Sequence, residues 1–151
     1  MRIYLVVIDE SPEAESALRF AARRAVKTGG GVEILALVPQ AEFVSWGGVQ
    51  ATMEAEARQR VEALVAGAAG TLLAESGVRP TITVRQGDAP KIIREQIAAN
   101  PEIAALVLGA AATGLAGPLI AHFTAGEAAA LPVPLMIIPG GLDRDAIDRL
   151  S

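Results

Sequence analysis

The sequence predicts a single α/β domain with a five-stranded parallel sheet and helices on both faces. Short apolar runs alternate with segments of helical length, no hairpin signal joins two of the runs, and nothing repeats at the period of a solenoid. The chain has 151 residues, of which 52% are hydrophobic and 20% charged. That composition is typical of a globular domain, and parallel strands require helical crossovers on the sheet faces.

The first half of the chain predicts two strands and two helices. Ile3–Ile8 is a continuous β-branched run, as in a strand buried on both faces. Ser11 is expected to cap the first helix, with Pro12 at its first position, and the glycines at 29–31 end it near Lys27. A second strand is expected over 32–38 and a long helix over 50–75. The spacing predicts a buried face on that helix comprising Met53, Val61, Leu64, Val65, Ala68 and Leu72.

The second half continues the alternation of strand and helix. Residues 81–85 alternate in polarity, as an edge strand does, and Asp88 and Pro90 begin a third helix. A fourth strand is expected over 104–108 and a helix over 118–130. Val133 and Ile138 bound the fifth strand, 133–138. We expect the domain to cover 1–141 and a short charged tail to cover 142–151.

Composition excludes several classes of function. The net charge of −4 provides no basic field for nucleic acid. The chain has no cysteine and one histidine, so it offers no disulfide, no metal site and no nucleophile with a matching base. The initial apolar run is too short for a signal peptide or a membrane span. We therefore expect a cytoplasmic protein without catalytic residues and without nucleic-acid or membrane partners.

The candidate site is the crevice at the carboxyl ends of the strands. If the first strand is central, the turns after strands one, two and four meet there. These turns hold Asp9, Val38 and the glycine-rich stretch that begins at Gly109. Glycines before a helix can admit a phosphate to backbone amides, or they can simply form a tight turn. The residues leave both interpretations open.

Five stretches of sequence together resemble the universal stress protein family: VVID-x-S, ALVP, QGDAPKII, LVLGA and LPVPLMIIP. The resemblance implies a sheet in the order 3-2-1-4-5 and a homodimer joined through the fifth strands, here between Val133 and Ile138. Some members of the family bind ATP through a G-x-x-G-x(9)-G-[ST] motif, and others lack the motif and bind none.

The nucleotide motif is matched only in part. Gly114 and Gly117 supply its first half, but Glu127 stands where the next glycine belongs and Gly126 comes one residue early. A carboxylate facing phosphates is repelled by about 4 kcal/mol at about 4 Å. The loop from Gly109 to Gly117 also holds no lysine or arginine. The resemblance implies these nucleotide contacts: Asp9, Val38, Gly109, Thr113, Gly114, Gly117 and Gly126.

Two functions therefore remain open. The first is a regulatory or protective dimer that requires no cofactor and binds a small ligand or a protein partner at the crevice. The alternative is a stress-response switch that binds ATP or AMP, with slow or no hydrolysis. His122 is interpreted as a surface or packing residue. The segment around Trp46 is either a partner surface or a cluster folded onto the long helix.

Overall fold

The five strands form one parallel sheet in the order β3-β2-β1-β4-β5. A computed structural model describes residues 1–39 and 48–151, with side chains described from residue 51 in the second range. The segment around Trp46 lies outside the described residues. The strands are β1 Ile3–Ile8, β2 Gly31–Val38, β3 Thr81–Gln86, β4 Ile103–Ala110 and β5 Leu135–Pro139. The predicted fold class and strand order are confirmed.

Helices cover both faces of this sheet. They are α1 Glu13–Thr28, α2 Gly48–Ser76, α3 Ala89–Ala99, α4 Pro118–His122 and α5 Arg144–Leu150. Successive strand residues point to opposite faces. Val6, Ile34 and Val107 accordingly pack with α1 and α2. Leu5, Leu35 and Leu106 pack with α3 and α4. All six of these strand side chains are fully buried.

The start of α1 differs from the prediction. Pro12 occupies the N-cap position, and no side chain caps the helix there. The Ser11 hydroxyl donates to the Asp9 carboxylate instead, so it is not available to the helix amides. The end of α1 is as predicted, since Gly29 adopts a left-handed conformation with φ 66°. The predicted inner stripe is buried and comprises Ala14, Leu18, Ala21, Ala22 and Ala25.

The helix predicted over 118–130 is broken into three short pieces. α4 ends at His122, a π-helical turn covers Phe123–Glu127, and a 3-10 turn covers Ala128–Ala130. Gly126 has non-helical angles, φ 161° and ψ −19°, where the chain kinks. Phe123 is fully buried in the core on the α3 side. We attribute the wider π-helical turn to the burial of this aromatic ring, since tertiary packing can override helix propensity.

The fifth strand begins two residues later than predicted. Pro134 lacks an N–H and contributes only its carbonyl, which accepts from the Leu106 amide at 2.9 Å. Regular pairing with β4 starts at Leu135. Val133 therefore precedes the strand, and the strand extends to Pro139.

α2 is buried along a narrower stripe than predicted. Val61, Val65 and Leu72 are buried, but Met53 and Leu64 are 40% and 37% exposed.

The predicted charged tail contains a helix, α5, whose N-cap Asp143 accepts from the Ala146 amide at 2.8 Å. Within 1–39 and 48–151, no helix combines the length and hydropathy needed to cross a membrane.

Candidate functional site

The carboxyl edge of the sheet brings three of the predicted site residues together. Asp9, Gly109 and Gly117 line one cavity of about 60 Å³ between the turns after β1 and β4. Ligand sites in proteins usually measure about 300 to 1,000 Å³, so this cavity is several times too small for a nucleotide. The predicted residues that do not line this cavity are Val38, Thr113, Gly114 and Gly126.

Asp9 holds the turn that leads into α1. Its Oδ1 atom accepts from the Ser11 amide at 2.9 Å and also from the Ser11 hydroxyl. Two more acids lie beside it, because Glu10 follows in sequence and Glu13 lines the same cavity. Glu10 pairs with Arg60 across 3.1 Å. The edge is therefore acidic, and an acidic edge repels phosphate.

Gly109 allows α1 to pack closely against β4. A Cβ atom at Gly109 would lie 2.2 Å from the Glu13 carbonyl oxygen. A Cβ at Gly140 would lie 2.6 Å from the Ala110 carbonyl oxygen and 3.0 Å from the Glu13 side chain. The space beside Gly109 is thus occupied by the first turn of α1. This glycine has a packing requirement that is independent of any ligand.

The loop after β4 closes on itself before α4 begins. The Ala111 amide donates to the Ala116 carbonyl at 3.1 Å. Gly114 and Gly117 both have positive φ, 75° and 126°, which explains glycine at these positions. Leu115 at the tip is 92% exposed. Gly117 is the N-cap of α4, and Pro118 removes one amide donor from its first turn.

Glu127 does not face the candidate crevice. Its Oε2 atom accepts from Arg94 Nη1 of α3 at 2.9 Å and lies 3.9 Å from His122 Nε2. The expectation that this carboxylate meets a phosphate is therefore corrected. The His122 ring also makes an edge contact with Phe123, with the ring centroids 5.0 Å apart.

The nucleotide motif is incomplete in a second register as well. Starting it at Gly109 places Ala112, His122 and Phe123 at its remaining fixed positions, so only the first glycine is kept.

The predicted site residues outside the cavity differ in exposure. Val38 is 2% exposed and belongs to the core on the α1 side. Thr113 and Gly126 are exposed.

Sequence reasoning missed a much larger opening between α1 and α2. This groove measures about 750 Å³ and extends from Asp9 to Glu75 and Arg144. The available signal was the small-residue stretch at 66–70, AGAAG, inside a long helix. Small side chains leave space between packed helices, but the position of the facing helix does not follow from the sequence alone.

The strand order and the crevice at the carboxyl edge define a doubly wound parallel α/β domain. The model of the universal stress protein family matches residues 1–139, and the chain belongs to that family. No curated protein matched the sequence.

Solved structures agree on the fold. Universal stress protein UspA from Lactobacillus plantarum is 18% identical with a TM-score of 0.77, and the match covers 91% of this chain and 97% of that one. The universal stress protein from Archaeoglobus fulgidus in complex with dAMP is 19% identical with a TM-score of 0.58, covering 91% and 97%. An Arabidopsis thaliana family member with AMP bound is 16% identical with a TM-score of 0.55, covering 96% and 94%.

Proposed function

We propose that this chain is a non-catalytic, dimeric stress-response protein of the cytoplasm that acts by binding a protein partner or small ligand at the crevice. The observation that carries the proposal is the size and charge of the cavity between Asp9 and Gly117. It measures about 60 Å³, and the described residues that line it include Asp9 and Glu13 but no lysine or arginine. Such a cavity disfavours a nucleoside triphosphate and leaves the surrounding surface as the binding element.

A protein partner fits this surface better than a small ligand. Leu115 presents its side chain at 92% exposure on a loop closed by the hydrogen bond from Ala111 to Ala116. An apolar side chain held on a preorganised turn suits a protein contact, because little conformational entropy is lost on binding.

The proposed dimer uses β5. This strand lies at one edge of the sheet, so one side of its backbone pairs with no other strand among residues 1–39 and 48–151. Ile137 is 40% exposed, and the neighbouring Leu135 and Met136 are half-buried. Pairing with β5 of a second copy would satisfy the free backbone groups and cover these side chains.

The absence of catalysis is part of the proposal. The Nε2 atom of His122, the one histidine, lies 3.9 Å from Glu127 Oε2, beyond hydrogen-bond distance, and the ring packs on Phe123. The Ser11 hydroxyl is bonded to the exposed Asp9 carboxylate. Neither arrangement joins a nucleophile to a base that is oriented by a third group.

A second candidate function is binding of a nucleoside monophosphate at the same edge. The dAMP and AMP complexes of the Archaeoglobus and Arabidopsis structures favour it. A monophosphate carries less charge than a triphosphate, so the carboxylates of Asp9 and Glu13 repel it less. To hold a nucleoside monophosphate, the cavity of about 60 Å³ beside Gly117 would have to become wider.

Calorimetric titration of the purified protein with AMP, ADP and ATP separates the two candidates. We expect no binding heat with any of them at millimolar concentration. Saturable heat with AMP that disappears in Gly117→Val, but persists in the control Gly70→Val on α2, would establish the second candidate instead. A monomer by light scattering, or turnover of nucleotide, would contradict the first candidate.

A further inference from the structure

The groove between α1 and α2 has the volume of a ligand site. It measures about 750 Å³, within the usual range of about 300 to 1,000 Å³. Leu18 and Ala22 of α1 line one side, and Ala63, Gly67 and Ala68 of α2 line the other. Because these α2 side chains are small, the facing walls do not meet, and most of the lining is apolar.

Two ion pairs lie near the ends of the groove. Near the carboxyl end of β1, Glu10 pairs with Arg60 across 3.1 Å. At the other end, Arg19 pairs with Glu75 across 2.6 Å. The α2 residues that line the groove run from Ala63 to Ser76, which is about 20 Å along the axis at a rise of about 1.5 Å per residue. The space is therefore long, which suits an extended chain better than a compact ring.

Positive charge is concentrated at the Glu75 end. Arg19, Arg23 and Arg144 line the groove there. Arg23 bonds Asp148 through Nε at 3.1 Å, and Arg144 bonds Glu75 through Nη2 at 2.6 Å. Each guanidinium has five N–H donors, so within the described part of the chain both retain donors for an anion. Their side chains are 34% and 68% exposed.

The opposite end is acidic. Asp9, Glu10 and Glu15 line it, but two of these carboxylates are engaged, Asp9 with Ser11 and Glu10 with Arg60. An incoming anionic group is therefore directed to the arginine end, where a planar carboxylate can take paired N–H donors.

We propose that this groove binds a long-chain fatty acid in its carboxylate form. The aliphatic chain lies along the small-residue wall of α2, with Gly67 near its middle. The carboxylate lies against Arg23 and Arg144. The groove and the crevice cavity share Asp9 and Ser11 at one end, but the proposed contacts of the fatty acid lie on α1, α2 and α5, so the proposal does not rest on the function of the crevice.

Fluorescence of cis-parinaric acid, measured below its micellar concentration, tests the site directly. We expect one probe molecule per chain and displacement by hexadecanoic acid. Hexadecanol should displace it several-fold less well, and hexadecylamine least well, because neither offers a carboxylate to the arginines. Absence of probe binding, or displacement by the amine equal to that by the acid, would overturn the proposal.

Matched variants localise the binding. A Cβ at Gly67 or at Gly70 has no heavy atom within 4 Å, so Leu fits at both positions, but only Gly67 lines the groove. We expect Gly67→Leu to weaken binding about tenfold, since an added side chain occupies the aliphatic path. Gly70→Leu should bind normally. Normal binding by a folded Gly67→Leu protein would contradict the proposal.

A charge variant tests the carboxylate end. Arg144→Gln should weaken binding of hexadecanoic acid about threefold, in keeping with an exposed ion pair, and should leave hexadecanol unaffected. Arg149→Gln removes an exposed charge from the same helix outside the groove and serves as the control. Equal losses in the two variants would show a general charge effect and contradict the placement of the carboxylate. The nucleotide titration tests the function proposed for the crevice separately. A negative result with either pair of variants in the fatty-acid assay therefore does not contradict that function.

Discussion

Arg19 and Asp148 form a two-pronged ion pair that fastens α5 to α1. Arg19 Nε donates to Oδ1 of Asp148 at 3.0 Å, and Nη2 donates to Oδ2 at 2.9 Å. The third nitrogen of the same guanidinium, Nη1, donates to Glu75 at the end of α2 at 2.6 Å. One arginine side chain therefore connects three helices that are distant in sequence.

Neutralising Asp148 should loosen α5 without unfolding the sheet. In Asp148→Asn we expect the α5 amides to exchange hydrogen several-fold faster, because the charged partner of Arg19 and Arg23 is lost. Exchange in β1 should be unchanged. Hydrogen-exchange mass spectrometry measures both regions. Arg149→Gln is the control, and the prediction fails if that variant loosens α5 equally.

The same ion pair predicts an acid-sensitive contact. Hydrogen bonds from Arg19 hold the pKa of Asp148 below its ordinary value of 3.8, and the charges of Arg19 and Arg23 act in the same direction. The unfolded chain keeps the ordinary pKa, so the stabilisation is complete above about 3.8 and is lost as pH falls through the lower native value. Protection of α5 should therefore be constant from neutral pH to about pH 5 and fall only below about pH 4. Asp148→Asn should remove this dependence, and a transition near neutral pH would contradict the assignment.

Adding one methyl group at Gly109 should destabilise the fold. In Gly109→Ala the new Cβ would lie 2.2 Å from the Glu13 carbonyl oxygen, a backbone atom. Moving α1 away from β4 should lower the free energy of unfolding by about 3 kcal/mol, measured by urea denaturation. Gly126→Ala is the matched change in open space, and it should alter stability by no more than about 0.5 kcal/mol. Equal stability of the two variants would refute the packing role of Gly109.

Placing a threonine directly after Gly126, which recreates the final Gly-Thr pair of the motif one residue early, should not create a nucleotide site. The carboxylate of Glu127 points to Arg94 on α3, so Glu127→Thr removes no repulsion from the crevice. We expect calorimetry with AMP to remain silent and stability to fall by less than about 1 kcal/mol, because the ion pair is exposed. Glu127→Gln, which keeps the side chain length, is the control. Saturable binding of AMP by the threonine variant would contradict this prediction, because it would show that the Glu127 carboxylate prevents AMP from binding at the crevice.

A positive charge on the edge strand β5 should prevent dimerisation. Ile137 is 40% exposed on that edge strand, and in Ile137→Lys two ammonium groups would be brought together and desolvated at the interface. Light scattering should give twice the chain mass for the natural sequence and the single mass for the variant. Leu115→Lys, on a loop away from β5, should remain dimeric. A dimer that survives Ile137→Lys would place the interface elsewhere.

Local patterns explain why the strands and most helix ends could be predicted from the sequence. Buried parallel strands are continuous β-branched runs, and Asp88 is a strong cap because its carboxylate reaches the Lys91 amide at 3.1 Å. The glycine cap at Gly29 is equally local. These features depend on a few adjacent residues, so they do not require knowledge of tertiary contacts.

Most of the errors depend on partners that are distant in sequence, whereas the one at Ser11 is a local competition. The break after His122 follows from burying Phe123 against the α3 face. The direction of Glu127 is set by Arg94, which lies 33 residues earlier. Ser11 could cap α1, but the Asp9 carboxylate competes for its hydroxyl. The size of the crevice likewise depends on how closely two turns approach, and no spacing in the sequence encodes that distance.

Ser151 is buried beside α1, at the end of α5. Only 5% of this residue is exposed, its carbonyl oxygen accepts from Arg24 at 3.2 Å, and its hydroxyl lies 3.4 Å from the Lys27 ammonium. These contacts hold the last turn of α5 on α1, so they reinforce the same junction as the pair of Arg19 and Asp148.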